Sequence, residues 1–265
     1  MPRFTVGTAG GWDTLSNSGP ARYLIGIDDT DNLTSRGTGF RARSLGALLA
    51  SEGLAEPLGI TRHQLLVDPR IPYTSHNSSL CLTIDAEPVL CGRIVHLCRD
   101  YLLRESAPGS DAGLSFAESD AMDSAVAAFG ARAKSEVVTK DEALALAARA
   151  NILLEGLTGD SGGVIGALAA VGLRASQRDG RFVWLPGVRE MSGVLSADAI
   201  LHSTGIDEIR SLSGACVSGP DRIETSPWPR PVLLEGRAVL LVQRAEHDDG
   251  SHDWRLAPKE IIKRY

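Results

Sequence analysis

Apolar residues occur in short blocks along the chain, separated by polar and glycine-rich stretches. The unbroken run Tyr23–Ile27, which ends at Asp28, predicts a buried strand, whereas apolar positions three and four residues apart, as at Met122, Val126 and Phe129, predict a helix. On this basis the predicted strands cover residues 23–28, 58–67, 78–86, 182–185, 214–218, 231–235 and 238–245. The predicted helices cover residues 40–51, 89–104, 118–134, 140–150, 164–171 and about 196–212.

Local signals place some helix ends and one boundary between domains. Thr139 and Glu142 form a capping box at the start of a helix, and Gly172 is the expected C-cap of the helix that starts at Val164. Because strands alternate with helices, the predicted fold class is α/β, with α+β as the alternative. The polar stretch 176–181 divides the sequence into an N-terminal arm (1–20), a larger domain (21–180) and a smaller one (181–265).

Composition narrows the functional classes. With 43% hydrophobic and 23% charged residues among 265, the chain is expected to be globular rather than disordered. Its net charge of −6 and pI of about 5.5 disfavour a stand-alone nucleic-acid binder. We see neither a signal peptide nor an apolar run long enough to cross a membrane, so we expect a cytoplasmic protein without a membrane partner. The cysteines lack the C-x-x-C spacing of structural zinc sites. Nothing in the sequence predicts the oligomeric state.

Three carboxylates, Asp28, Asp29 and Asp31, follow the first predicted strand directly. A divalent cation would neutralise their mutual repulsion, and Mg²⁺ commonly binds one or two carboxylates together with substrate phosphates. These residues alone equally fit an Asx turn or a helix cap at the end of the strand. Arg36 and Arg41, near the start of the next helix, are candidates for phosphate recognition, although a solvated helix face explains some arginines equally well.

A second candidate is the loop Gly159–Gly163, with Gly166 in the helix that follows. Glycines at a helix N-terminus allow backbone N–H groups to approach a phosphate. The alternative is a helix start that packs tightly on the sheet. The same loop matches the G-x-S-x-G pattern, so a serine hydrolase with Ser161 as nucleophile is a further hypothesis, with Asp207 and His247 as downstream acid and base.

Two other polar segments are candidate sites. The proline-stiffened loop from Asp68 to Ser79 includes His76 and could position a substrate, or it simply connects two strands. The segment from His247 to Asp253 has the residue types of a metal site, but Asp-Gly between two apolar strands favours a hairpin tip.

Three motifs appear in order along the chain: Gly26-Ile-Asp-Asp-Thr-Asp31 followed by Gly37, Pro69-x-Ile-Pro-Tyr73, and Gly163-Val-Ile-Gly-Ala-Leu-Ala-Ala-Val-Gly172. Together they resemble the archaeal tRNA-isoleucine agmatinylcytidine synthetase family. A weaker match, Pro229-Arg-Pro-Val-Leu-Leu-Glu-Gly236, extends the resemblance, which covers about residues 21–240.

The resemblance implies an unusual kinase-like domain joined to a ferredoxin-like domain. That family uses ATP to activate a cytidine carbonyl in the tRNA anticodon and attaches agmatine. By this resemblance, Asp28, Asp29 and Asp31 would hold Mg²⁺ and phosphate. Gly37, Gly162, Gly163 and Gly166 would lie at or beside the nucleotide.

The chain departs from the family pattern in several places. We expect neither the family's OB-fold nor its zinc ribbon within these 265 residues. Phe40 and Arg41 occupy the positions of the family's threonine pair, one of which is phosphorylated. Thr74-Ser75-His76 replaces a basic Lys-Thr-Arg stretch. With the acidic pI, these changes count against direct tRNA binding.

The leading hypothesis is an ATP- and Mg²⁺-dependent enzyme that performs phosphoryl transfer or phosphate activation on a small-molecule or nucleoside-like substrate. Asp28, Asp29 and His76 are its predicted catalytic residues. Arg36, Gly37, Arg41, Gly162, Gly163 and Gly166 are its predicted nucleotide-binding residues. The alternatives are a non-catalytic nucleotide- or metabolite-binding module, a tRNA modifier that needs a partner to bind RNA, and the hydrolase.

Overall fold

The computed structural model describes residues 5–6, 19–73, 76–245 and 252–265. It has a mixed α/β fold, which confirms the predicted fold class. The described residues cluster into two compact units that meet in sequence between Ser176 and Gln177. The kinase-like and ferredoxin-like assignments remain predictions from the resemblance.

The first unit contains an antiparallel sheet with helices on both faces. Its strands run in the order β1-β6-β5-β2-β4-β3. The strands are β1 (Thr5–Val6), β2 (Ala21–Asp28), β3 (Glu56–Gln64), β4 (Ser78–Ala86), β5 (Gly113–Glu118) and β6 (Leu153–Gly156). The helices are α1 (Thr38–Ser51), α2 (Cys91–Glu105), α3 (Ser124–Ala133), α4 (Lys140–Arg149) and α5 (Val164–Ala175).

The central strand β2 is buried along Tyr23–Ile27, as its continuous apolar run predicts. Helix α5 packs against the sheet, and α3 and α4 pack against α5. Helix α1 packs against β3 and β4 and also contacts α2. The apolar residues of α3, α4 and α5 form one core with Leu24, Cys81 and Leu154 of the sheet. This packing fixes the start of α5 close to the end of β2.

Several predicted boundaries are wrong for local reasons. The sequence predicts one helix over residues 118–134, but β5 ends at Glu118 and α3 begins only after Asp123, whose side chain accepts a hydrogen bond from the Ala125 N–H. Gly172 is not a C-cap. It lies inside α5, where a side chain would overlap the Val126 carbonyl of α3. The capping box of Thr139 and Glu142 is confirmed at the start of α4.

The second unit is built mainly from short strands around its own apolar core. Its sheet has the order β7-β11-β12-β13-β10-β8, with β9 paired in parallel to β12. The strands are β7 (Arg181–Trp184), β8 (Val194–Ser196), β9 (Glu208–Ser211), β10 (Arg222–Glu224), β11 (Val232–Leu234), β12 (Arg237–Arg244) and β13 (Trp254–Leu256). The helices are α6 (Ala197–Ser203) and α7 (Lys259–Ile262).

Two predictions in this unit are also wrong. The helix expected near 196–212 stops at Ser203, and β9 follows it, because Thr204 is extended and its hydroxyl accepts a hydrogen bond from the Ile206 N–H. The strand expected at 214–218 is reduced to a single bridge between Arg210 and Cys216. A hairpin tip is predicted from His247 to Asp253, but residues 247–251 lie outside the described part of the chain. The strands on either side of it, β12 and β13, pair antiparallel.

Within the residues that the structure describes, every helix is too short or too polar to span a lipid bilayer.

Candidate functional site

Loops from three strands meet at one edge of the first unit's sheet. Asp28, the last residue of β2, lies opposite Gly113, the first residue of β5, and Gly113 lies opposite Gly156, the last residue of β6. Because these strands are antiparallel, the loops after β2 and β6 emerge beside the loop that leads into β5. A cavity of about 230 Å³ lies at this edge.

The cavity brings together parts of all three sequence motifs. The Asp motif contributes Asp28 and Asp29, and the glycine-rich loop contributes Asp160, Gly162, Gly163 and Gly166. The proline-stiffened loop contributes Arg70, Ile71, Pro72 and Asn77. Segments more than a hundred residues apart in the sequence therefore line one small space.

The two aspartates at the end of β2 are in an environment that disfavours their charged forms. Burial raises the pKa of Asp28 well above its usual range, and the carboxylates of Asp29 and Asp31 raise this pKa further. Burial likewise raises the pKa of Asp29, to about 6, with further contributions from Asp111, Asp31 and Asp160. Asp29 also has a left-handed backbone with φ of 50°. Such a crowded set of carboxylates favours a cation or a proton as its partner.

Asp111 links the loops, although the sequence predicts only a loop at this position. Its carboxylate accepts the Asp160 N–H at 2.7 Å, and its carbonyl accepts the Gly163 N–H at 2.8 Å. The loop that contains it is also joined to the Asp motif, because the Ala107 N–H donates to the Thr30 carbonyl at 3.0 Å. In the sequence, Asp111 has no distinguishing signal beyond its place in a polar loop.

The glycines of the second motif allow close approach between backbones. A side chain at Gly163 would lie 2.6 Å from both the Asp111 carbonyl oxygen and the Gly113 nitrogen, and one at Gly166 would overlap the Asp28 carboxylate. The N–H groups of Gly162 and Gly163 donate to Asp160 Oδ1 and to the Asp111 carbonyl. These observations favour the tight-packing interpretation of the loop. A direct role of these glycines at a nucleotide remains a prediction.

Two cations lie at the cavity: Arg70 belongs to the proline-stiffened loop predicted to position a substrate, whereas no sequence pattern predicts Lys140. Lys140, the first residue of α4, donates from Nζ to the Asp160 carbonyl at 2.8 Å and lies 3.2 Å from Asp160 Oδ2. Arg70 is held by a two-point hydrogen bond to Asp68, at 2.8 and 2.9 Å. The cavity is therefore lined by several carboxyl side chains, with two positively charged side chains beside them.

Four predicted residues gather instead around the start of α1. Asp31 Oδ1 accepts a hydrogen bond from the Thr38 hydroxyl at 3.2 Å, and Gly37 is the N-cap residue of that helix. The Arg36 guanidinium lies 4.3 Å from the centre of the Phe40 ring, and Arg41 forms an ion pair with Glu105 at 3.4 Å. None of these four is a lining residue of the cavity.

His76 and Ser161, the two candidate bases or nucleophiles, also lie off the cavity lining. His76 is exposed and follows residues 74 and 75, which are outside the described part of the chain. Ser161 follows a strand, as the nucleophile of a hydrolase would, and has φ of 69°. Its side chain, however, packs where a Gly156 side chain would be. Asp207 accepts the Ala238 N–H at 2.7 Å, and His247 lies outside the described residues.

Within the described ranges, no three His, Cys, Asp or Glu side chains are grouped so as to hold a metal ion by themselves. Asp28 and Asp29 nevertheless offer hard carboxylate oxygens in a crowded acidic environment. This donor set fits Mg²⁺, which takes one or two protein carboxylates and completes its shell with phosphate and water.

Comparison with known proteins gives partial matches. An uncharacterized protein of Methanocaldococcus jannaschii is 31% identical over 153 residues, which are 57% of this chain and 50% of that protein. A crystal structure of TiaS in complex with tRNA and ATP has a TM-score of 0.51 and 27% identity, over 57% of this chain and 36% of the other. A complex of TiaS with tRNA, AMPCPP and agmatine has a TM-score of 0.50 and 26% identity over the same shares. No protein-family profile matches.

These matches confirm the resemblance to the agmatinylcytidine synthetase that the motifs predict. The chain spans about half the length of the curated relative and about a third of the solved TiaS chains.

Proposed function

We propose that this protein binds ATP with Mg²⁺ in the cavity at the end of β2 and uses it for phosphoryl transfer or phosphate activation on a nucleoside-like or small-molecule substrate. The observation that carries the proposal is the convergence of the three motifs on this cavity. It is supported by the similarity to TiaS, whose structures were determined with ATP or AMPCPP.

In this proposal five charged residues that line the cavity have specific roles. Asp28 and Asp29 hold the metal, and Asp111 positions Asp29 and the glycine-rich loop through its backbone and side chain. Lys140 and Arg70 offset phosphate charge, the role that the sequence predicts for Arg36 and Arg41. A bound Mg²⁺ would neutralise and orient the phosphates, which is most of what phosphoryl transfer requires.

The experiment is to incubate the protein with Mg²⁺ and ATP labelled on the α or the γ phosphate, with bulk tRNA and with free nucleosides as separate acceptors. We expect label to leave ATP with at least one acceptor class. Release of ADP with transfer of the γ label indicates attack on the γ phosphate, whereas release of γ-labelled pyrophosphate with the α label on the acceptor indicates attack on the α phosphate. Asp28→Asn should abolish turnover, and Asp141→Asn, on exposed α4 surface, should not.

ATP consumption that is equal in Asp28→Asn and in the unsubstituted protein would contradict the proposed site. ATP binding without consumption would favour a non-catalytic module. That second candidate is supported by one observation. Phe40 and Arg41 stand in place of the family's threonine pair, and the hydroxyl of Thr38, two residues before Phe40 in the sequence, is hydrogen-bonded to Asp31 and Thr30.

A further inference from the structure

A second cavity, of about 420 Å³, lies within the second unit and has the opposite charge. It is lined by the loop from Ser226 to Arg230, by the middle of β12, and by the segment from β13 to α7. Its volume is within the range of small-molecule binding sites. It contains none of the motifs that define the acidic cavity.

The charged side chains of this cavity are all basic. Arg230, Arg255 and Lys259 line it, and none of its described lining residues carries a carboxylate. Arg230 and Lys259 are exposed, and within the described residues neither makes an ion pair. Three cations around one concave surface attract an anion, and guanidinium groups in particular suit phosphate.

The cavity also offers an aromatic surface. Trp228 lines it and is 43% exposed, which is unusual for the largest apolar side chain. The Arg189 guanidinium lies over one face of the Trp228 ring, 4.7 Å from its centre, and adds a fourth positive charge nearby, so a base would stack on the opposite face. An exposed indole beside cations is well suited to stack a planar base whose phosphate contacts the cations.

We propose that this cavity binds a phosphorylated nucleoside, with the base against Trp228 and the phosphate at Arg230 and Lys259. The proposal is independent of ATP use in the first unit, because no residue of the acidic cavity takes part. The ligand chemistry is shared by a free nucleotide and by one nucleotide of a single strand.

The test is calorimetric titration of the full chain, without divalent cations, with nucleoside monophosphates, inorganic phosphate, and a short single-stranded oligonucleotide. We expect a monophosphate to bind more tightly than phosphate, and Trp228→Ala to weaken it at least about fivefold, the loss of one stacked base. Lys259→Gln should weaken monophosphate and phosphate alike by about threefold to tenfold. Lys263→Gln, an exposed lysine outside the cavity, is the matched control.

If the oligonucleotide binds more than about tenfold more tightly than the monophosphate, the ligand is a single-stranded nucleic acid; otherwise it is a free nucleotide. Monophosphate affinity that is unchanged in both Trp228→Ala and Lys259→Gln would overturn the proposal, as would the absence of binding at millimolar concentration. Asp28→Asn should leave this binding unchanged, so the result is separate from the fate of the first site.

Discussion

The two cavities are built in different ways. The acidic cavity depends on backbone contacts: Asp111, Gly113 and Gly163 approach so closely that no side chain fits at Gly163. The basic cavity depends on long side chains, Trp228, Arg230 and Lys259, that extend from exposed positions. The first should therefore be inseparable from the stability of its unit. The second should be removable without unfolding.

The largest expected effect comes from a substitution that disturbs the backbone contacts of the acidic cavity. Gly163→Ala would place a Cβ 2.6 Å from two backbone atoms of the β5 loop, which cannot move independently of the sheet. We expect a loss of about 3 kcal/mol or more in the free energy of unfolding, as for other overpacked or strained sites. Urea denaturation would measure it.

Two control variants define the comparison. Gly92→Ala, in α2 with open space around it, should be neutral or stabilising by up to about 1 kcal/mol. Trp228→Ala should cost well under the Gly163→Ala value, because Trp228 is 43% exposed. If Trp228→Ala destabilises the protein as much as Gly163→Ala does, the proposed difference between the cavities is wrong.

A smaller effect, on pH dependence, should have opposite signs in the two units. The folded-state pKa of Asp29 is about 6, above its ordinary value of 3.8, so the folded protein holds this proton more tightly than the unfolded chain. The ionised carboxyl therefore destabilises the fold above about pH 6, and the penalty disappears below about pH 4. Asp29→Asn should stabilise the protein by about 1 kcal/mol at about pH 8, less than the full pKa shift implies because solvent screens this partly exposed side chain, and should have no such effect at about pH 4. Asparagine tolerates the left-handed backbone at this position.

Glu208 in the second unit has a pKa shift of the opposite sign to that of Asp29. Hydrogen bonds from Arg210, and the charges of Arg210 and Arg237, hold the pKa of Glu208 below its usual range. Ionised Glu208 therefore stabilises the fold at pH values above the ordinary pKa of glutamate, and this stabilisation is lost as the pH falls. Glu208→Gln should therefore destabilise the protein at about pH 8, with a difference that narrows in acid. Thermal unfolding between about pH 4 and pH 8 checks both variants, and curves that shift in the same direction would contradict the assignment.

The sequence predicts those parts of the site that depend on neighbouring residues. The buried run of β2 identifies Asp28 and Asp29, and β4 matches its predicted bounds of 78–86. Asp111 and Lys140 are missed because they reach the cavity through contacts across β5 and α4, which no local pattern contains. Their position after the Asp motif predicts Arg36 and Arg41 at the nucleotide, but Arg36, just before α1, lies over the Phe40 ring, and Arg41 in α1 pairs with Glu105.

The basic cavity has no sequence motif for a related reason. Its lining comes from the loop 226–230, β12, β13 and α7, and no single spacing or element joins these segments. Only the return of β13 beside β12 brings Lys259 and Arg255 near the loop that holds Trp228.

The central claim is that the motifs converge to form a Mg²⁺-nucleotide site, and calorimetric titration of ATP with and without Mg²⁺ tests it most directly. The titration uses the Trp228→Ala, Lys259→Gln double variant, so that nucleotide binding at the basic cavity does not contribute. In this background we predict Mg²⁺-dependent binding that is lost when Asp28→Asn is added and weakened about tenfold or more when Lys140→Gln is added. In the double variant, binding that does not depend on Mg²⁺ and is equal with and without Asp28→Asn would contradict the account, as would no binding at millimolar ATP.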